Sequence, residues 1–134
     1  MSKTTKEDHD TFLTACMTHQ FIVELTDPNG DMLIPVDLIS GFEFGSVNRF
    51  CVNIHATESN LLDILALSNK SMYIDASIWF INSSGAKIGG VNFDSVRYDT
   101  IAFNNLNHAE SDVPLMIKYT FKYNGKHVLA GDAA

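Results

Sequence analysis

A few short stretches of the chain carry residue types able to hold an ion or drive a reaction. Asp27-Pro28-Asn29-Gly30-Asp31 spaces its carboxylates like the start of a calcium loop. Calcium takes about six to eight oxygens, and such a loop carries its glycine sixth and closes on a bidentate Glu at the twelfth position. Here the glycine is fourth and the twelfth residue is Leu38. The segment reads instead as a turn, because proline presets φ and Asn-Gly tolerates positive φ. His108-Ala109-Glu110-Ser111-Asp112 gathers polar ligands, but no second histidine or cysteine pair stands near it, so zinc is not expected. Glu7-Asp8-His9-Asp10 reads as the acidic lead-in to a helix. Gly85-Ala86-Lys87-Ile88-Gly89-Gly90 lacks the Gly-Lys-Ser/Thr of a phosphate cradle and falls in a strand connection.

Nucleophilic catalysis fares no better. There is no Gly-x-Ser-x-Gly, and Cys16 and Cys51 sit in apolar settings that suit small buried hydrophobes. No residue nominates itself as catalytic, and neither a cofactor nor a metal is expected. The aromatics offer more. Phe42 and Phe44 lie between Gly41 and Gly45 within a connection at 40–49. They either fold back onto the core or anchor a contact with another chain. Tyr73, Trp79 and Tyr98 could line a cavity for an apolar ligand, the feature of a monomeric binding module.

These residues must be held by a mainly β framework. Phe12, Leu13, Cys16 and Met17 make one stripe of a short helix at Thr11–Thr18. Phe21-Ile22-Val23-Glu24-Leu25-Thr26 alternates, and the chain returns past the Asp27–Gly30 turn through Met32–Val36, which reads as a hairpin whose second arm Pro35 weakens. Phe50–His55 alternates again, and Leu61, Leu62, Ile64, Leu65 and Leu67 form the stripe of a central helix that begins near Thr57 and ends at Asn69-Lys70. Met72–Ile81, one or two strands over 88–103, and Leu115–Tyr123 complete the β set. Asn82–Gly85 turns the chain, 104–112 is a polar loop, and Asn124-Gly125 ends the last strand. The expected fold is α+β: two packed antiparallel sheets, or a barrel-like sandwich, around one helix. It is read as a single domain over 1–134, with 1–10 and 125–134 loose.

A hydrophobic share of 46% against 19% charged residues separates this chain from disordered ones. The net charge of −7 leaves too few cations for sequence-reading of nucleic acid, though a like-charged wall lets a polyanion slide past. No apolar run follows the N-terminal lysines as in a signal peptide, and none is long enough for a membrane span. A cytoplasmic site of synthesis and assembly is the expectation.

The element order carries a resemblance. A short helix runs into a strand over Phe12–Leu25, and an alternating strand precedes a helix over Phe50–Lys70. Two strands join at Ser84-Gly85, and Val91-Asn-Phe-Asp-Ser-Val-Arg-Tyr-Asp99 leads by a polar joint to Val113–Tyr123. Over about residues 10–124 this resembles the tail tube proteins of contractile-tailed bacteriophages, whose fold is shared by the tube protein of type VI secretion. The resemblance implies a structural role in the virion tail. Six copies would close a ring, and rings would stack into a hollow tube that guides the genome. The partners implied are further copies, the tail sheath and baseplate proteins, with only passive contact with DNA. The family's stacking hairpin falls on about Pro35–Arg49, so Phe42, Phe44 and Arg49 are contact candidates, with Phe12 and Leu13 of the N-terminal helix. This connection is short for such a hairpin. A secretion or injection tube is the alternative implied by the same resemblance.

Overall fold

The computed structural model describes residues 17–69, 73–104, 106–109 and 112–131. Seven strands follow in chain order: β1 (Phe21–Thr26), β2 (Ile39–Phe44), β3 (Arg49–His55), β4 (Ile74–Ile81), β5 (Lys87–Phe103), β6 (Met116–Lys122) and β7 (Gly125–Ala130). The α-helix α1 (Leu61–Ala66) lies between β3 and β4 and runs into a 3-10 turn at Leu67–Asn69. All pairings are antiparallel, in the path β1-β4-β5-β6-β3-β2, with β7 on the remaining side of β5.

β5 organises the molecule. Its first half pairs with β4 and β7, and its second half, from Arg97, pairs with β6. Between them Ser95 adopts φ 55°, a left-handed value that is uncommon outside glycine and that marks the change of direction. The strand therefore leaves one leaf, β1-β4-β5-β7, and enters a second, β5-β6-β3-β2. The leaves face each other through the alternating apolar residues of every strand. Val23, Leu25, Ala76, Ile78 and Phe93 of the first leaf join one core with Phe50, Val52, Ile54, Ile117, Tyr119 and Phe121 of the second. α1 sits over the same interior, and the buried Tyr119 hydroxyl donates to the Ile64 carbonyl. This gives the buried phenol a polar partner at the helix.

The mainly β expectation holds, with one continuous seven-stranded antiparallel sheet that folds at β5 into two leaves in place of two separate sheets, while several details differ. The leaves are not closed into a barrel: β1 and β2 end the path. The hairpin expected across Asp27–Gly30 is only a turn. β1 spends its register on β4, from Phe21↔Phe80 to Thr26↔Asp75, and a single bridge, Thr26↔Met32, survives beyond the turn. Pro35 has no N–H to donate, and Val36–Leu38 winds into a 3-10 turn. The 40–49 connection is no loop: Ile39–Phe44 pairs with β3 as a true hairpin. Residues 88–103 are one strand. The helix is shorter than its stripe, with Ile64 and Leu67 buried but Leu62 pointing outward at 80% exposure.

The tail expected to be loose from Gly125 instead supplies β7, paired with β5 from Asp94↔Gly125 to Gly89↔Ala130. Asn124 donates its N–H to the Asp94 carbonyl, which turns the chain back onto β5. Of the N-terminal helix, Phe12 and Leu13 lie outside the described residues, and Met17 and Thr18 are not helical. Among the described residues no helix is long and apolar enough to cross a membrane.

Candidate assembly surfaces

The β2–β3 hairpin carries three of the sequence candidates and treats each differently. Phe42 points inward, stacked on Phe50 with ring centroids 5.3 Å apart and packed against the core. Phe44, two residues on, is at the open end of the leaf and is 51% exposed. It meets Phe42 edge-on at 5.2 Å, and the Lys126 ammonium of β7 lies 5.1 Å from its ring centre. Such contacts hold the ring in place while leaving half of it to solvent. Of the two aromatics, Phe42 is partly buried against the core and Phe44 is offered outward.

The hairpin tip is Gly45-Ser46-Val47-Asn48. Gly45 donates to the Arg49 carbonyl at 2.8 Å, Arg49 to that of Ser46 at 3.0 Å, and Asn48 takes a positive φ of 57°. Val47 is 81% exposed at the apex. Nothing in its local sequence marked it. Only the turn geometry places it beyond Phe44.

Arg49 is engaged within the chain. Its Nε donates to Asp99 Oδ2 at 2.8 Å, and Lys122 Nζ lies 3.4 Å from the other oxygen. Hydrogen bonding to Arg49 first, then the charge of Lys122, holds the Asp99 carboxyl below the usual carboxylate range despite partial burial. A carboxyl whose folded value is depressed contributes stability above its unfolded value, and that contribution fades as pH falls through the folded value. Wild type should therefore exceed Asp99→Asn by several tenths to about 1 kcal/mol at pH 6. The two denaturation curves should converge as the pH drops below about 4. A constant gap down to pH 2 would show that Asp99 acts through packing and not charge.

The sheet edges are the second surface. β1 is partly covered, since Leu33 donates to the Leu25 carbonyl at 2.8 Å. In the second leaf, β2 pairs only with β3, and the second half of β5 pairs only with β6. Both outer edges of that leaf are thus free among the described residues. Free edges invite pairing with another chain.

Asp27 Oδ1 accepts the N–H groups of Asn29 and Asp31, each at 2.9 Å, so the carboxylate closes the turn. His108 lines a shallow cleft of about 360 Å³ with Asn104, Leu106 and Val113 to Leu115. Glu110 lies outside the described residues. The described residues hold no group of three or more His, Cys, Asp or Glu side chains placed to bind a metal. Tyr73, Trp79 and Tyr98 do not converge on one cavity. Trp79 lies on the outside of the first leaf, donating to Glu24 Oε1 at 2.9 Å under Lys87, whereas Tyr98 packs inward against Tyr119. Cys51 is buried beside Thr120, its sulfur 3.3 Å from the hydroxyl oxygen, and Cys16 lies outside the described residues.

No protein-family model matches the sequence, and no curated protein matches it significantly. Solved structures do match. A chain of the sheath–tube complex of an extracellular contractile injection system, PVC, in its extended state superposes with a TM-score of 0.68 at 13% identity. That match covers 96% of this chain and 99% of the other. The fold is the tail-tube fold. A chain of the anti-feeding prophage baseplate gives 0.60 at 16% identity, over 87% and 97% of the two chains. The crystal structure of an Hcp protein gives 0.56 at 10% identity, over 85% and 93%. The tail-tube fold thus spans nearly the full length of each of these chains, and at such identities the likeness is one of architecture.

Proposed function

We propose that this chain is a structural, non-catalytic subunit whose copies close into a ring, sixfold as the resemblance implies, and whose rings stack into a hollow tube. The observation that carries the reading is the full-length tail-tube fold combined with two free edges on one leaf. Pairing the β2 edge of one copy with the β5 edge of the next is a head-to-tail contact, and such contacts close rings or propagate filaments. Bulk decides which way the joined leaf curves. The first leaf and α1 both lie on its inner-core side, and the thicker layer needs the larger circumference. The outer face of the second leaf therefore lines the bore.

Phe44 and Val47, at the hairpin tip, are the stacking contacts of this reading, and Arg49 positions the tip from below through Asp99. Sheath and baseplate proteins are the partners proposed for the outside of such a tube. Solved likenesses to a contractile injection system, the anti-feeding prophage and Hcp favour an injection tube over a genome-carrying phage tail. The two share one architecture and differ in cargo.

Negative-stain electron microscopy across a concentration series tests the proposal. Rings or tubes with a central hole are expected. Featureless small particles at every concentration would overturn it. In the Phe44→Ser/Val47→Ser variant, assembly should need about tenfold more protein, the equivalent of about 1.4 kcal/mol lost over the two side chains together. The monomer should stay folded with a lower melting temperature, since Phe44 also packs on Phe42 and Phe93. Unimpaired stacking would remove the hairpin tip from the contact.

A further inference from the structure

The two leaves present outer faces of opposite sign. Outside the first leaf stand Glu24, Asp75 and Asp94 against Lys87, a net negative face. Outside the second leaf stand Arg49, Arg97, Lys118 and Lys122 against Glu43 and Asp99, four cations to two carboxylates in a chain of net charge −7. The cations are ordered. Arg97 lies opposite Lys122, and Lys122 lies opposite Arg49, so three adjacent strands carry one row of positive charge. Strands about 4.8 Å apart place that row within roughly 10 Å. Lys118 pairs with Glu43 at 2.7 Å in the same leaf.

We propose that this face binds carboxylate-rich polypeptide and not nucleic acid, so that the tube, on whose reading the inference rests, takes acidic protein cargo. The row already shows how it takes a carboxylate: Asp99 is shared by Arg49 and Lys122. Arg97, exposed at the end of the same row, has no carboxylate partner among the described residues, so it is open to one from a ligand. Bases would find no Phe, Tyr or Trp ring to stack on between the cations, where the outward positions are Thr100, Thr120, Cys51 and Asn53. In this reading the like-charged wall suggested by net charge carries a basic stripe per copy.

The test is fluorescence anisotropy of a labelled short polyglutamate peptide, with single-stranded oligothymidine of equal charge and a polylysine peptide as comparators. Electron microscopy of the same samples reports assembly. Polyglutamate should bind in a salt-sensitive way, more tightly than oligothymidine, whereas polylysine, drawn to the acidic first leaf, should bind with no dependence on Arg97. Arg97→Glu should weaken polyglutamate binding by about tenfold or more. Arg97→Gln should lie between, and Lys87→Gln, on the opposite outer face, should change it little. Oligothymidine binding as tightly as polyglutamate would overturn the cargo class. Rings that bind no polyglutamate would overturn this inference and leave the tube reading in place. Binding without rings at any concentration would uphold the carboxylate-binding face and overturn the tube.

Discussion

Phe93→Ala should cost about 3–5 kcal/mol, the range for emptying a buried phenylalanine site. A domain of this size is stable by only about 5–15 kcal/mol, so the variant should be close to unfolding at room temperature. Phe93 is 2% exposed and is the first leaf's contribution to an aromatic cluster otherwise drawn from the second leaf and its ends. Its ring lies 4.6 Å from that of Phe50, 4.8 Å from Tyr123, 5.9 Å from Phe44 and 6.0 Å from Phe42. Those four side chains come from β2, β3 and the end of β6, so Phe93 is the ring that ties the first leaf to this cluster. Urea denaturation should show a large fall in midpoint with an unchanged slope. A loss below about 1.5 kcal/mol would mean that the leaves collapse onto the gap and that the cluster does not join them.

Gly90→Ala should cost about 1–3 kcal/mol, toward the upper end for overpacking. Gly90 is buried mid-strand in β5, between Trp79 of β4 and Leu129 of β7. A Cβ there would lie 2.4 Å from the Ile78 carbonyl oxygen and 3.0 Å from Trp79 Cε3. The nearer obstacle is backbone within a ladder held on both sides, so a rotamer change cannot relieve it. Trp79 is the single tryptophan of the chain, and its emission should shift as the indole is pushed from Glu24 and Lys87. Gly89→Ala is the comparison: its nearest obstacle is the Leu129 carbonyl oxygen at 3.5 Å, an ordinary contact. Equal losses at the two positions would point to a general cost of replacing glycine in β5, not to the Trp79 side.

Much of the framework is legible in the chain because burial has a period. Ile117, Tyr119, Phe121 and Tyr123 alternate with Lys118, Thr120 and Lys122, and the structure buries the first set and turns the second outward. The same logic locates β1, β3 and β4. It fails where a segment has one apolar face but too little depth: Gly125-Lys126-His127-Val128-Leu129-Ala130 pairs well yet leaves Val128 88% exposed, so no alternation announces β7. It fails again at 40–49, where glycines suggest a loop. Gly41 faces Asn53 across a β-bulge in a closely paired ladder, and its missing Cβ permits that approach.

What the residue order determined alone is the class of molecule: strands by alternation, turns by Asn, Gly and Pro, a core without any metal motif, and an element order that resembles tail tubes. Which surface is offered outward was decided only in three dimensions. Phe42 and Phe44 have the same local sequence environment, and the two-residue strand period points both to one face. One lies over Phe50 while the other is half exposed, so only the extent of the covering layer separates a packed ring from an exposed one. The basic row is of the same kind. Arg49, Arg97 and Lys122 are far apart in the chain, and antiparallel register alone sets them side by side, because charge adds up over space and not over sequence.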